Sequence, residues 1–278
     1  MGIRDRDRGG AWTRLIVLIV GVASLAAGLP KTAAQTLSND QLNLFPIGAT
    51  LCNDMKFRNV LHSGAPVGCD RLKLIRFQHL GFDGQLHRGE IVVMDAAADH
   101  VSQIFRRLAE KNFPIEKARL MNYYSGDDDR SIADNNTSGF NHRNVEGSNA
   151  PSLHAYGLAI DLNPKQNPYV RRNQSGIVLS VSPPSSIHYV RRLRSFADPR
   201  LGIAESVVDL FAEHGFSIWG GYWPYEVDYQ HFAVRRSLAL RLARLPPMNA
   251  HALVEENIQN YVTCRSAGRS RSFCVNRE

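Results

Sequence analysis

The sequence is poor in cysteine, with four in 278 residues, and none of the four stands in a Cys-x-x-Cys pair. A four-thiolate metal site normally needs that short spacing, so its absence argues against one. The apolar run from Leu15 to Leu29 holds about fifteen residues, short of the roughly 20 that span a bilayer. Basic residues interleaved with aromatics are missing from the middle of the chain, which leaves no footprint for a nucleic-acid partner. No internal repeat is visible. A Ser-x-x-Lys string with its partner motifs is also missing, which removes the penicillin-type serine hydrolases.

What is present begins with an address. Arg4, Arg6, Arg8 and Arg14 precede the apolar run, and the small residues Thr32, Ala33 and Ala34 close it. Residues 1–34 therefore read as a signal peptide, with the mature chain starting near Gln35, secreted or periplasmic, and keeping no membrane span after cleavage. All four cysteines follow that point, as expected in an oxidising compartment. Four cysteines allow three pairings; closeness in sequence favours Cys52–Cys69 and Cys264–Cys274. The formal charge of +7 falls to +4 once the leader removes five basic residues (Arg4, Arg6, Arg8, Arg14, Lys31) and two acidic ones (Asp5, Asp7). Such a balance suits an anionic polymer such as the cell wall, and equally an ordinary solvated surface.

Residues 36–81 show little periodicity and read as an irregular lead-in. Gly89–Met94 predicts a strand. A helix follows in which Val101, Ile104, Phe105 and Leu108 recur at i, i+3, i+4 and i+7, stopping near Asn112. Ala118–Tyr124 predicts another strand, followed by a long polar segment, Ser125–Asn149, without periodicity; loops of that length are usually functional. Leu158–Leu162 alternates, with Asp161 facing away from Leu158, Ile160 and Leu162. Ile203, Val207, Leu210 and Phe211 form one stripe of a helix ending at Gly215. Phe216–Trp219 and His231–Val234 read as short strands around a Gly-Gly turn, and a short helical tail follows Pro246-Pro247.

Two segments carry chemistry: Ser152-Leu153-His154-Ala155-Tyr156-Gly157-Leu158-Ala159-Ile160-Asp161, and Trp219-Gly220-Gly221 followed by Asp228-Tyr229-Gln230-His231-Phe232. Together they supply two imidazoles and two carboxylates. Catalytic zinc takes three protein ligands from His, Asp or Glu, so two His and one Asp suffice, leaving one carboxylate. Asp228, three residues before a candidate ligand, fits a base that takes a proton from water. Glu226 is a minor rival.

The string S-x-H-x-x-G-x-A-x-D, with W-G-G and D-Y-x-H-F later, resembles the D-alanyl-D-alanine carboxypeptidase family of zinc peptidases, which includes VanY-type carboxypeptidases and L-alanyl-D-glutamate endopeptidases. The resemblance runs from about Glu90 to Val234 and is nearest the endopeptidase branch, where the base is an aspartate. It implies Zn2+ held by His154, Asp161 and His231, Asp228 as base, and peptidoglycan stem peptides as substrate. It also implies an arginine for the oxyanion. The usual Tyr-Arg-Ser string is missing; Arg130 is better placed by spacing, Arg143 matches a Phe-Asn-x-Arg pattern and is preferred. Ser152, Tyr156 and Trp219 are expected at the substrate. The implied fold is α+β, hedgehog/D,D-peptidase-like, a small central antiparallel sheet flanked by helices with zinc on the sheet. The domains then read as a disulfide-pinned extension (35–88), a peptidase domain (89–245) and a tail with the second cysteine pair (246–278). Two rival readings are a catalytically silent, zinc-containing cell-wall binding module and a structural envelope protein that binds nothing at these residues. Asp127, Asp128 and Asp129 read as a solvated turn, Asn136-Thr137-Ser138 as local hydrogen bonding, and His142 and His214 as structural.

Overall fold

The computed structural model describes residues 43–193 and 199–276; the expected signal peptide lies outside them. The longest pairing is a hairpin of two nine-residue strands, β2 (Leu72–Leu80) and β3 (Leu86–Met94), with β1 (Asn43–Pro46) on the far side of β2. Branched and aromatic residues (Ile75, Phe77, Ile91, Val93) turn inward from this sheet, the composition that suits a pleated, half-buried surface. Helix α1 (Ala49–Phe57) leads from β1 toward β2 and is fastened by the Cys52–Cys69 disulfide, whose Cα atoms are 5.9 Å apart. Helix α2 (Ala98–Glu110) lies on the sheet. Its Val101, Ile104, Phe105 and Leu108 are buried, and Phe105 stacks on Phe77 at 3.9 Å. Each such side chain contributes about 1.5–3 kcal/mol on burial.

The irregular reading of residues 36–81 is therefore corrected. β1, α1 and β2 occupy that stretch, and β2 pairs along its whole length with β3 from Leu72↔Met94 to Leu80↔Leu86. The boundary drawn after residue 88 falls inside β3. The strand expected at Ala118–Tyr124 is also absent: residues 121–124 form a 3-10 turn, and the Ala118 carbonyl accepts from Glu90 N–H as an isolated contact. Ser125–Asn149 is not structureless either, since α3 (Asp128–Ala133) starts within it, capped by Asp127, whose side chain accepts from Arg130 N–H at 3.0 Å.

Two further sheets carry the motifs. One has the order β4-β9-β7, with β4 Ala159–Asp161, β9 His231–Ala233 and β7 Ile218–Trp219. The other has the order β6-β5-β8, with β5 Tyr169–Arg172, β6 Val178–Ser182 and β8 Glu226–Asp228. The α+β class stands, but the described residues hold three small antiparallel sheets in place of one central sheet. Pro164, Pro168 and Pro224 flank these strands; lacking an N–H, they end ladders after a few residues.

The stripe Ile203, Val207, Leu210 and Phe211 is buried as expected, though it is split between a 3-10 turn at 204–206 and α4 (Val208–Glu213). After α5 (Arg236–Leu242), the tail is longer than the sequence implied. α6 (Pro247–Ser266) spans 20 residues and buries Ala250, Val254 and Ile258 in the main core, and α7 (Arg271–Val275) is tied to it by Cys264–Cys274. Both expected disulfides are present. No helix among the described residues is long and apolar enough to cross a membrane.

Candidate metal and catalytic site

Asp161 and His231 sit directly opposite each other in the β4–β9 ladder, the arrangement that brings two side chains on one face to about 5 Å between Cβ atoms. The period-2 alternation sends Ile160 to the opposite side and Asp161 toward the histidine. Asp161 is clamped on its other edge too, exchanging two 3.0 Å backbone bonds with Ser138. His154 arrives from the 3-10 turn Leu153–Tyr156, capped by Ser152, whose hydroxyl accepts from His154 N–H at 3.3 Å. Gly157 ends that turn at φ +65°, and a Cβ there would lie 2.5 Å from Met94 N. Only glycine accepts both that backbone and that approach, so the glycine of the motif seats the turn against β3.

Three donor atoms converge. His154 Nε2 is 3.1 Å from Asp161 Oδ2 and 3.3 Å from His231 Nδ1, and His231 Nδ1 is 3.0 Å from Asp161 Oδ1. His154 Nδ1 lies 2.6 Å from the Gly139 carbonyl and donates to it, so a neutral ring presents the Nε2 lone pair to the cluster. A lone pair facing a carboxylate at 3.1 Å is repelled unless a proton or a cation lies between them. Metal–ligand bonds of about 2.0–2.1 Å give a tetrahedral edge of roughly 3.3 Å, close to all three separations. The set fits a cation held by His154, Asp161 and His231, whose possible ligand atoms all lie within 4.8 Å of one another.

The electrostatics are tightly linked. Burial acts to raise Asp161, but His154 and His231 outweigh it and hold its carboxyl far below the usual range. Burial also acts to lower His154, and Asp161 more than compensates. His231 stays below its ordinary value, burial prevailing over Asp161.

Asp228 ends β8, paired with Tyr169 of β5. Burial first, and the negative Asp161 next, push its carboxyl well above the usual carboxylate range, while a hydrogen bond from Gln230 opposes them. Its Oδ1 is buried without a hydrogen-bond partner, a costly state for a carboxylate oxygen. Gly220, the first glycine of Trp219-Gly220-Gly221, makes room for it: a Cβ there would meet the Asp228 carbonyl oxygen at 2.5 Å and its Cβ at 2.8 Å. Glu226, on the same strand, is exposed.

Of the two arginines, Arg143 adjoins the site. Its carbonyl accepts from Ser152 N–H at 2.9 Å, its charge acts on both His154 and His231, and its Nη2 pairs with Asp128 Oδ2 at 2.7 Å. Arg130 turns instead to the Tyr124 carbonyl, at 3.5 Å. Ser152 and Tyr156 are buried beside His154, Ser152 as the cap of its turn and Tyr156 within the core. Trp219 packs in the same core and donates from Nε1 to the Tyr229 carbonyl at 2.9 Å, fixing the Asp228–His231 turn.

Asp128 is the residue that the sequence did not disclose. Only the fold brings this member of an acidic run to Arg143 and within the field of His154, Asp161 and Asp228; burial holds its carboxyl above the usual range against the opposing Arg143. The Gly139 carbonyl was equally hidden, since a backbone acceptor leaves no trace in residue type.

No curated protein and no solved structure matches the chain. Residues 146–234, which include His154, Asp161, Asp228 and His231, match a protein family described as D-alanyl-D-alanine carboxypeptidase.

Proposed function

We propose that this protein hydrolyses a peptide bond in the stem peptides of peptidoglycan with one bound zinc ion, as a D,D-carboxypeptidase or an L-Ala-D-Glu-type endopeptidase. The observation that carries the reading is the triangle of donor atoms from His154, Asp161 and His231 with the unpartnered oxygen of Asp228 nearby. The family match at residues 146–234 supports the same class and an extracytoplasmic site of action.

His154 Nε2, Asp161 and His231 Nδ1 would hold the metal. When bound, zinc supplies Lewis acidity that polarises a carbonyl and brings the pKa of water toward about 7. Asp228 takes a proton from the attacking water. It then hands that proton to the leaving amine, the base becoming the acid. Arg143, steadied by Asp128, places positive charge where the carbonyl oxygen becomes an anion. Gly139 orients His154 through its Nδ1 bond, the outer support that metal-bound histidines normally have.

The test is zinc content of the purified protein, then digestion of defined muropeptides with and without a chelator, the products being weighed. One zinc per chain and chelator-sensitive release of D-Ala, or cleavage after L-Ala, is expected. Zinc without hydrolysis would favour a silent cell-wall binding module, and neither would leave a structural envelope protein.

A further inference from the structure

A cavity of 440 Å³ opens beside the site, between the segment around residues 217–223 and helix α7. Its lining includes Trp219, Tyr222, Trp223, Arg271, Ser272 and Asn276. Trp223 connects it to the metal cluster, its ring centre lying 5.6 Å from that of His231. The wall is built rather than incidental: Cys264–Cys274 fixes α7, Arg271 donates to the Ser217 carbonyl at 2.5 Å, and its guanidinium lies 4.9 Å over the Tyr222 ring. Yet Tyr222 remains 63% exposed and Trp223 38%. Aromatic surface held rigid and left open to water beside a reactive centre marks a ligand surface.

The chemistry of the lining selects the ligand. Among the described residues it holds no carboxylate, and its one cation is already engaged by a carbonyl and an aromatic ring. The exposed aromatic members of the lining, Tyr222 and Trp223, favour a ligand that presents apolar C–H faces. Aromatic faces attract the polarised C–H groups of a pyranose ring, and Ser272 and Asn276 offer a hydroxyl and an amide at the rim for hydroxyl and acetamide groups. The volume lies in the range of about 300–1,000 Å³ typical of small-ligand pockets.

We infer that this groove is a saccharide subsite, taking an N-acetylhexosamine unit of the glycan strand while the attached stem peptide lies at His154, Asp161 and His231. The inference rests on the peptidase reading, and deepens it: the substrate is peptide still joined to glycan.

Two measurements test it. Zinc-loaded protein is given a free stem peptide and the same peptide on its disaccharide, and kcat/KM is compared. A preference of about five- to tenfold for the glycan-bearing substrate is expected, on the scale of one or two aromatic contacts, collapsing toward one in Tyr222→Ala. The second measurement needs no catalysis: N,N′-diacetylchitobiose is titrated into wild-type protein while the tryptophan indole N–H signals are followed by NMR, with Tyr222→Ala alongside. One indole signal, lost in Trp223→Phe, should shift in a saturable way in the wild type, and more weakly in Tyr222→Ala. Equal rates on both substrates, indole signals that do not move, or a concentration-dependent dimer broken by Tyr222→Ala would overturn the subsite. If neither substrate is cut while chitobiose binds as described, the peptidase reading fails and the subsite stands.

Discussion

Gly220→Ala offers a sharp test of how the base is placed. The added Cβ would lie 2.5 Å from the Asp228 carbonyl oxygen and 2.8 Å from its Cβ, where ordinary contacts begin at 3.4 Å. Relief takes a displacement of roughly 1 Å, and the obstacle is backbone, so the end of β8 must move. Overpacking of this kind costs about 1–3 kcal/mol, and each kcal/mol lowers Tm by about 2–4 °C in a chain of this size. The catalytic cost should be larger. A 1 Å misplacement of a reacting group lowers rate by about 10²-fold, and Asp161 and His231 lie on another sheet and His154 on a 3-10 turn, so zinc should remain bound. The assay combines kcat on a defined muropeptide, zinc content and thermal melting. Gly48→Ala is the control, because nothing lies within 4 Å of its built Cβ and its φ of −71° suits any residue. A Gly220→Ala protein that melts several degrees lower but hydrolyses within threefold of wild type would refute the argument that Gly220 seats Asp228.

Other expectations are simpler. Asp228→Asn should keep zinc and lose at least about 10²-fold in rate, whereas Glu226→Gln, exposed on the same strand, should change it little; the reverse result would move the base to Glu226. His154→Ala or His231→Ala should empty the metal site, and full zinc occupancy measured by mass spectrometry in either would end the ligand assignment. Asp128→Asn should free Arg143 and lower kcat about tenfold without altering zinc content; an unchanged kcat would leave the ion pair without a catalytic role. His214 is held at about 4 by burial and then by His100, Arg107 and Arg106. The unfolded chain takes up this proton near 6.5, so the contribution is present above that pH, declines as pH falls toward about 4, and is then gone. The full shift corresponds to about 3 kcal/mol, reduced to the order of 1–2 kcal/mol because solvent reaches part of the ring. His214→Gln should flatten that part of a pH–stability curve measured by urea unfolding.

The site was more legible in sequence than the frame that holds it. Alternation from Leu158 to Leu162 places Asp161 correctly because side-chain direction in a strand follows from position alone. The helix Ala98–Glu110 was legible for a similar reason, its apolar period being complete. Residues 36–81 were not, because the partner that makes β2 a strand, β3, lies beyond a turn, and β2 is covered unevenly along its length. Ala118–Tyr124 has a strand-like composition but meets β3 at a single bond, Glu90 N–H to the Ala118 carbonyl, and residues 121–124 close into a 3-10 turn. Polarity also misled in Ser125–Asn149. Asn135, Asn136, Thr137, Ser138 and Asn141 are buried there, and Asn136 satisfies both ends of its amide within the chain, accepting from Arg119 N–H at 2.7 Å and donating to Ser131 Oγ and the Arg119 carbonyl at 3.0 Å. Their amides stand in for a backbone ladder, a use that composition does not distinguish from solvation.

Asp228 and His231 are three residues apart, yet they belong to different sheets, β6-β5-β8 and β4-β9-β7. On the proposed reading, metal affinity and turnover would be separable under mutation. Changes around β5 and β8 would then retune or silence hydrolysis while the ion stays in place, so within such a scaffold an enzyme and an inactive metal-bearing module would be neighbours in sequence space, one short strand apart.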